Sequence, residues 1–285
     1  WAAPFEAYRQ CAARSDVHQR RVYHRMGWCL LMMGNHGEAC ACFRDTRILQ
    51  RPQGVSEAEF RKDEDVRKNA TYTEFYETLP LCGRTVLYES FHGKVMSCNP
   101  YAMFLHLLGD ADFKDWTHVW VIDDKTKIPP RYKRMTNVVF ISRDTDAYMR
   151  CLASARLLIN NVTFPGYFIR KEGQIYLNTW HGTPWKMMGK DVRGEFMIYG
   201  NVSRNFLQAS HLISPNRYTT DILTEKYDID GIYRGVTAET GYPRIDLTLN
   251  AGDAEKAALK ERLGVSGPGK VVLYAPTWRG THGNP

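Results

Sequence analysis

From residue 84 to residue 227, short apolar runs with strand-like composition alternate with stretches of helical periodicity. Such alternation predicts a parallel sheet flanked by helices, a Rossmann-like α/β structure whose ligands bind at the carboxyl ends of the strands. The predicted strands are Thr85–Glu89, His118–Ile122, Asn137–Ile141, Arg156–Asn160, Gln174–Thr179 and His211–Ser214. The predicted helices are Pro100–Leu108, Asp146–Ala155, Pro184–Lys190 and Pro215–Tyr227.

The first fifty residues show helical spacing of apolar residues and no strand-like alternation. Gly27, Gly34 and Ala39, followed by Phe43, match the packing pattern of one tetratricopeptide-like (TPR-like) helical hairpin. In that pattern small residues let two antiparallel helices approach closely, and the aromatic ring fills the gap between them. A plain helical pair packed on the next domain explains the same residues, so both interpretations stay open.

Beyond Pro52 the composition becomes polar, with a predicted helix at Ser56–Arg67. A charged helix is predicted over residues 253–263. Lys270–Tyr274 then resembles the first strand of a second Rossmann-like domain, so we expect the chain to be a fragment of a longer protein. The expected organisation is a helical TPR-like region at 1–52, a connector with a helix at 53–83, a Rossmann-like domain at 84–252, and a linker helix with one strand at 253–285.

The formal net charge of +7 predicts attraction to phosphate groups, in a nucleic acid, an anionic lipid or a polyanionic substrate. No known nucleic-acid-binding motif occurs, which disfavours the first of these partners. No apolar run is long enough to cross a bilayer, and no signal peptide is evident. We therefore expect a cytoplasmic protein whose charge permits contact with the inner face of the cell membrane. The seven cysteines are scattered without a C-x-x-C pair, a usage typical of reduced thiols and not of a zinc site.

The most informative segment is Asn178–Lys186, Asn-Thr-Trp-His-Gly-Thr-Pro-Trp-Lys. Gly182 permits a sharp turn after the predicted strand. Thr183 is expected to cap a helix that Pro184 begins, because threonine and proline suit those two positions. The segment therefore predicts a strand–turn–helix junction with His181 at its tip.

A helix that begins beside His181 would present free N–H groups and a partial positive charge to a phosphate. Lys186 and Lys190 add formal positive charge nearby. A histidine next to such a site can take a proton from an attacking hydroxyl group, because its pKa lies near neutrality. The alternative is a structural histidine that is hydrogen-bonded in a tight turn.

The Trp-His-Gly-Thr-Pro-x-Lys segment resembles the signature of the CDP-glycerol:poly(glycerophosphate) glycerophosphotransferases, the polymerases of teichoic acids and related bacterial capsules. Other segments resemble motifs of the same family in the expected order: Tyr88–Lys94, Leu158–Asn161, Thr240–Asp246 and Leu273–Arg279. Two positions depart from the family pattern. Trp185 stands where leucine is common, which is expected to alter the acceptor groove. Ile245 stands where asparagine is usual, which is expected to alter donor or polymer preference.

This resemblance implies a GT-B-like pair of Rossmann domains that face a cleft, with residues 84 to about 250 as the acceptor-side domain. It implies transfer of glycerol phosphate, or another polyol phosphate, from a CDP-activated donor to the hydroxyl end of a teichoic-acid-like or capsule polymer, releasing CMP. His181 is then the base, while Lys186, the helix expected at Pro184, and Arg279 stabilise phosphate charge. No cofactor is implied besides the donor substrate, and dependence on a divalent metal is left open.

The other candidates are polar or basic residues in these motifs and at strand ends and helix starts, and several have a structural alternative. His92 can cap its loop, Asn161 can bond the loop backbone, and Ser214 with Arg217 can be a helix cap beside a solvated cation. The candidate set for substrate or phosphate binding is Lys186, Thr183, Gly182, Glu89, His92, Lys94, Asn161, Ser214, Arg217, Arg244, Thr277 and Arg279. No metal-ligand set is predicted, because Asp123 and Asp124 precede lysines in what is better explained as a solvated turn.

Two other functions compete with this interpretation. A nucleotide-sugar glycosyltransferase of the same fold would attack an anomeric carbon and not phosphorus. A non-catalytic TPR-type scaffold would bind a capsule-assembly complex, with its helical N-terminus contacting other assembly proteins or a membrane surface. The sequence does not choose between glycerol and ribitol, or between the addition of one unit and of many.

Overall fold

The computed structural model describes residues 1–13, 19–35, 37–39, 41–42, 64–193, 198–265, 267 and 270–275. Within these residues, parallel strands form one sheet of seven, in the order β3-β2-β1-β4-β5-β6-β7. The strands are β1 Cys82–Glu89, β2 Thr117–Val121, β3 Val138–Ile141, β4 Ala155–Asn160, β5 Ile175–Asn178, β6 His211–Ser214 and β7 Val236–Glu239.

Helices of the first unit pack on both faces of the sheet. The bounds of the described helices are α1 Ala2–Ala12, α2 Gln19–Met32, α3 Glu64–Thr78, α4 Cys98–Gly109, α5 Pro130–Lys133, α6 Asp146–Ser154, α7 Gly200–Gln208, α8 Arg217–Glu225, α9 Pro243–Leu249 and α10 Asp253–Arg262. None of the described helices combines the length and the apolar character needed to cross a bilayer.

The central strand β1 is buried on both faces, as expected when helices cover both sides of a parallel sheet. Its side chains alternate between two apolar clusters because successive residues of a strand point to opposite faces. Leu87 packs in the cluster that contains Phe75 of α3. Val86 and Tyr88 pack in the other cluster, with Phe104 of α4. The predicted α/β layer structure is therefore confirmed.

The direction of the strand order reverses between β1 and β4. The chain runs from β1 outward to β2 and β3, then returns to place β4 on the other side of β1. The carboxyl-terminal residues Glu89 and Asn160 are paired across this junction, and Asn178 of β5 is paired with Asn160. In open α/β sheets the crevice outside such a reversal is where ligands bind. A ligand-binding site is therefore expected at the segments that follow β1, β4 and β5.

All six predicted strands are confirmed, as are the helices that became α4, α6, α8 and α10. The edge strand β7 was missed because Val236–Glu239 has only four residues and no buried side chain to mark it. Helix α7 was missed because its buried side chains are mostly polar, so apolar periodicity does not reveal it.

The helix predicted over Pro184–Lys190 is wrong, because residues 184–188 have no regular structure and a single 3₁₀ turn spans Gly189–Asp191. Tertiary bonds take the backbone groups that a helix would use. The Tyr218 hydroxyl donates to the Pro184 carbonyl at 3.2 Å, and the Lys190 amide donates to the Lys226 carbonyl at 2.8 Å.

The strand predicted over Lys270–Tyr274 is also wrong, since described residues 270–275 have no strand structure. A strand forms only where a neighbour pairs with its backbone, and within the described residues none does so here. The side chains of Val271 to Tyr274 remain largely exposed. These residues belong to a separate compact unit, Asp246–Pro285, whereas Trp1–Ile245 form the first unit.

The residues before β1 contribute to the first unit. Of the predicted connector, α3 packs against α6, and Tyr72 and Phe75 of α3 are buried in the core. Most of the helix predicted at Ser56–Arg67 lies outside the described residues. Helices α1 and α2 pack together, but Phe43 also lies outside the described residues, so the TPR-like character and the domain limits stay predictions.

Asn205 of α7 holds the loop after β4 against β5. Its Oδ1 accepts from the Phe164 amide at 2.8 Å and from the Tyr176 hydroxyl at 3.2 Å, while its Nδ2 donates to the Asn201 carbonyl at 2.9 Å. Asn205 is completely buried. This amide therefore supplies partners to polar groups that have no access to water.

We expect Asn205→Ala to destabilise the protein by about 2–4 kcal/mol, because it leaves buried polar groups without partners. Urea unfolding monitored by circular dichroism measures the change. Asn69→Ala is the matched control, since the half-buried Asn69 side chain donates only to the Asp65 carbonyl one turn earlier in α3. That variant should change stability by less than about 0.5 kcal/mol. Equal losses in the two variants would contradict the role of Asn205.

Candidate active site

The segments after β1, β4 and β5 meet at Asn161. The Phe91 amide donates to Asn161 Oδ1 at 2.9 Å, and His181 Nδ1 lies 2.7 Å from the Asn161 carbonyl oxygen. The Phe91 ring is edge-on to the His181 imidazole, with 5.8 Å between the ring centroids. Asn161 is fully buried. His181 is thus fixed at the reversal of the sheet.

The contact with Asn161 sets the tautomer of His181. A carbonyl oxygen only accepts, so Nδ1 carries the hydrogen and Nε2 of the neutral ring keeps its lone pair. Nε2 has no hydrogen bond to the described residues and is not among their buried unpaired atoms, so it is open to solvent. An imidazole in this state is ready to accept a proton from a ligand.

Burial lowers the pKa of His181, and the positive charge of Arg244 lowers it further, while the bond to the Asn161 backbone opposes both effects. A histidine with a lowered pKa is neutral at neutral pH, which is the state that a general base requires. The ring is partly buried, but its outer nitrogen still faces solvent.

The chain bends at His181 and Gly182, as predicted, but the left-handed backbone conformation beside the bend belongs to Trp180 and not to Gly182. Trp180 has a left-handed φ of 48°, whereas the φ of Gly182 is not in that region, and a methyl group at Gly182 would meet nothing within 4 Å. Asn178 Oδ1 accepts from the Trp180 amide at 3.0 Å, and Asn99 Nδ2 donates to the Trp180 carbonyl at 3.1 Å. These bonds hold a backbone conformation that a bulky residue rarely adopts.

Without a helix at Pro184, Thr183 caps nothing and no helix N-terminus follows His181. Thr183 and Lys186 are exposed. The Lys190 ammonium donates to Asp228 Oδ1 at 2.7 Å. The helix N-terminus predicted as a source of positive potential beside His181 is therefore wrong, whereas the contribution of the Lys186 charge stays a prediction.

Arg244 supplies the positive charge that contacts the His181 segment. Its Nη1 donates to the His181 carbonyl at 2.7 Å and to Cys98 Sγ at 3.0 Å. Its amide donates to Asn99 Oδ1 at 3.3 Å. Arg244 therefore joins the His181 turn to the start of α4, and binding of phosphate by this residue stays a prediction.

Glu89 lies inside the protein at the end of β1. Tyr148 donates its hydroxyl to Glu89 Oε2 at 2.7 Å, and Arg143 Nε lies 3.5 Å from Oε1. Burial raises the pKa of Glu89 to about 7, while the charge of Arg143 and the bond from Tyr148 oppose the shift. Because Glu89 is completely buried, its carboxylate has no surface through which to touch a substrate directly.

Arg143 and Tyr148 were missed because neither belongs to a recognisable motif. Arg143 follows the end of β3, at the carboxyl edge where functional side chains are expected, and that position is the signal that would have found it. Tyr148 lies in α6, where its apolar ring fits the helical periodicity of a core residue.

The remaining candidates are dispersed. Asn216, and not Ser214, caps α8, since its Oδ1 accepts from the Thr219 amide at 2.9 Å. Arg217 is exposed and pairs with Asp221 at 2.7 Å. Lys94 is exposed. Thr277 and Arg279 lie outside the described residues.

The carboxylates of Asp123 and Asp124 accept hydrogen bonds from backbone amides. Asp123 Oδ1 accepts from the Arg143 amide at 2.8 Å, and Asp124 Oδ1 accepts from the Thr126 amide at 3.0 Å. In the described part of the chain, no group of three or more His, Cys, Asp or Glu side chains is arranged to hold a metal ion.

The chain is similar, in sequence and in structure, to proteins of one family. Residues 71–284 match the family described as CDP-Glycerol:Poly(glycerophosphate) glycerophosphotransferase. The chain is 33% identical over 210 residues to a teichoic acid poly(glycerol phosphate) polymerase of Bacillus spizizenii, covering 70% of the chain and 51% of that protein. It is 30% identical over 223 residues to a teichoic acid glycerol-phosphate transferase of Staphylococcus aureus, covering 74% of the chain and 55% of that protein.

Solved structures agree with the sequence matches. A histidine variant of the wall teichoic acid polymerase TagF, soaked with CDPG, is similar to the chain with a TM-score of 0.64 and 27% identity. The similarity covers 76% of the chain and 54% of that structure. The chain spans about half the length of the curated relatives described above.

Replacing Arg244 by glutamine should raise the pKa of His181, because it removes the positive charge that disfavours the imidazolium. Histidine side-chain NMR against pH measures this, with the His181 signal assigned from its absence in His181→Gln. Arg217→Gln is the control, since Arg217 is an exposed arginine paired within α8. An unchanged or lowered His181 pKa in Arg244→Gln would refute the assigned cause.

Proposed function

The chain belongs to the CDP-glycerol:poly(glycerophosphate) glycerophosphotransferase family, and on this basis we propose that it transfers glycerol phosphate, or another polyol phosphate, from a CDP-activated donor to the hydroxyl end of a teichoic-acid-like polymer. CMP is the second product. The names of the relatives in Bacillus spizizenii and Staphylococcus aureus specify glycerol phosphate and teichoic acid, and the TagF structure was soaked with CDPG.

In the proposed reaction a terminal hydroxyl oxygen of the acceptor attacks the donor phosphorus that carries the glycerol. The hydroxyl proton moves to His181 Nε2, a new P–O bond forms, and the bond from that phosphorus to the CMP oxygen breaks. CMP leaves with the electron pair of the broken bond. Transfer of this kind depends on in-line positioning, charge stabilisation and a base.

The observation that carries the proposal is the hydrogen bond between His181 Nδ1 and the Asn161 carbonyl. It leaves Nε2 as the unprotonated and solvent-facing nitrogen at the crevice of the sheet. The same carbonyl stabilises the imidazolium that forms when Nε2 accepts a proton, because hydrogen bonding to the charged ring favours it.

We further propose that exposed groups around the crevice contact the anionic substrates. Lys94, Thr183 and Lys186 are exposed and lie in two of the segments that resemble family motifs. Arg244, already bound to the His181 carbonyl, has further guanidinium donors with which to contact a phosphate. Roles for Thr277 and Arg279 are supported by the motif resemblance alone.

The formal net charge of +7 favours association with polyanions, which suits a phosphate-rich acceptor. The same charge supports electrostatic contact with an anionic membrane face, and we include such contact in the proposal. Partners from a capsule-assembly complex for helices α1 and α2 remain a prediction from the sequence.

We expect His181→Ala to reduce CMP release from CDP-glycerol, in the presence of a poly(glycerol phosphate) primer, by about 10²–10⁴-fold. Loss of the base removes proton transfer while positioning by the rest of the site is retained. The control is His106→Gln, which changes an exposed histidine in α4 outside the site and should leave the rate unchanged.

The linkage in the product distinguishes phosphate transfer from glycosyl transfer. A new phosphodiester linkage is the expected product. A glycosidic linkage would instead identify a nucleotide-sugar glycosyltransferase. Because the chain is expected to be a fragment, the assay uses the full-length protein. Equal CMP release by the full-length wild type and its His181→Ala variant would refute the catalytic role of His181, and no release by the full-length wild type would favour the non-catalytic scaffold.

A further inference from the structure

Asn99, near the start of α4, joins two backbone segments that each contain a left-handed residue. Trp180, which precedes His181, has a φ of 48°, and Cys98, which precedes Asn99, has a φ of 63°. Residues other than glycine rarely adopt this conformation, and where they do the surrounding structure has to hold it. Two such residues beside one candidate base therefore require a physical explanation.

The side-chain amide of Asn99 holds the end of β5. Its Nδ2 donates to the Thr179 carbonyl at 3.2 Å and to the Trp180 carbonyl at 3.1 Å, and its Oδ1 accepts from the Arg244 amide at 3.3 Å. A carbonyl only accepts and a backbone amide only donates, so these partners fix the orientation of the side chain. Asn99 is completely buried, so water does not compete for these bonds.

Arg244 completes a clamp around His181. Its Nη1 donates to the His181 carbonyl at 2.7 Å. Three consecutive carbonyls, those of Thr179, Trp180 and His181, are therefore held by Asn99 and Arg244, which are also bonded to each other. The peptide groups on both sides of His181 are thus fixed by residues from outside the strand.

The position of this backbone determines where the His181 ring lies. Nδ1 is 2.7 Å from the Asn161 carbonyl, a distance that is kept only while the preceding peptide stays in place. Without the bonds from Asn99, Trp180 can leave its left-handed conformation and carry the ring away from Asn161. A neutral imidazole without that partner can hold its hydrogen on either nitrogen.

We propose that Asn99 is a positioning residue for His181: its amide holds the peptide that precedes the base, and so keeps Nδ1 on the Asn161 carbonyl and Nε2 toward the crevice. The inference rests on the proposed function only for the reaction that the base serves. An asparagine with a purely structural role would affect the stability of the protein and leave the tautomer of His181 unchanged. This difference is the basis of the test.

Gln174 provides a matched control at the opposite edge of the sheet. It is buried and directly precedes β5, at the amino-terminal end of that strand. Its Nε2 donates to two backbone carbonyls at 2.8 and 3.0 Å, and its Oε1 accepts from the Lys171 amide at 2.8 Å. Gln174 therefore makes the same set of bonds as Asn99, but away from the candidate base.

Asn99→Ala removes the three bonds, whereas Asn99→Asp keeps the size of the side chain and places an oxygen against the two carbonyls. We expect ¹⁵N NMR of the full-length protein at neutral pH to show His181 with hydrogen on Nδ1 in the wild type, and a mixture of both tautomers in each Asn99 variant. Gln174→Ala and Gln174→Glu should keep the wild-type tautomer.

Circular dichroism identifies the folded variants, and Asn99→Ser, which retains one donor for the two carbonyls, replaces any Asn99 variant that does not fold. The wild-type tautomer in the folded Asn99 variants, or an equal mixture in the Gln174 variants, would overturn the proposal.

The rate of CMP release tests whether Asn99 acts through His181. In the full-length protein, Asn99→Ala should lower this rate by about 10–100-fold, because a displaced base is poorly aligned with the acceptor hydroxyl. Added to His181→Ala, the same substitution should lower the rate by less than about threefold, because residues that act as a unit are not additive. Losses that multiply in the double variant would contradict the assigned role.

The NMR measurement separates this proposal from the proposed function. A full-length wild type that releases no CMP from CDP-glycerol, while the Asn99 variants change the His181 tautomer, would refute the proposed function and leave the positioning role intact. Conversely, a wild type that releases CMP, together with folded Asn99 variants that keep the wild-type tautomer, would refute the positioning role alone.

Discussion

The hydrogen bond from His181 Nδ1 to the Asn161 carbonyl is the contact on which the candidate site depends. It joins the segments after β4 and β5 across the reversal of the sheet, and the Phe91 amide adds the segment after β1 to the same residue. The bond also decides which ring nitrogen carries a hydrogen, so one backbone carbonyl fixes both the place and the chemistry of His181.

Sequence analysis predicted the elements of the fold around this bond where buried apolar residues recur with the spacing of a strand or a helix. Six strands and the helices α4, α6 and α8 were predicted because apolar runs mark their buried faces. Strand β7 and helix α7 escaped prediction because the first has no buried side chain and the second buries mostly polar ones. The pattern of apolar residues carries no information about buried amide networks such as that of Asn205.

The site was predicted in part. His181, Asn161 and Arg244 do lie together, because motif residues at strand ends converge in a parallel sheet. The helix expected at Pro184 does not form, because hydrogen bonds with Tyr218 and Lys226 engage the backbone groups of Pro184 and Lys190. The capping preference of Thr183 and Pro184 is weaker than these tertiary contacts. Sequence analysis did not identify Arg143 and Tyr148 as site residues, because only the tertiary structure brings them next to Glu89.

Electrostatics connect the two histidines of the crevice. Burial and nearby cations lower the pKa of both His92 and His181, so the site keeps its imidazoles neutral while burial raises the pKa of Glu89 beneath them. The arrangement suits a reaction in which a hydroxyl group must lose a proton beside anionic phosphates.

The most direct test of this account is the tautomer of His181, measured by ¹⁵N NMR of the imidazole at neutral pH. We predict a neutral ring with hydrogen on Nδ1 and an unprotonated Nε2, as the Asn161 carbonyl requires. A ring that carries its hydrogen on Nε2 alone, or that is fully charged at neutral pH, would contradict the account.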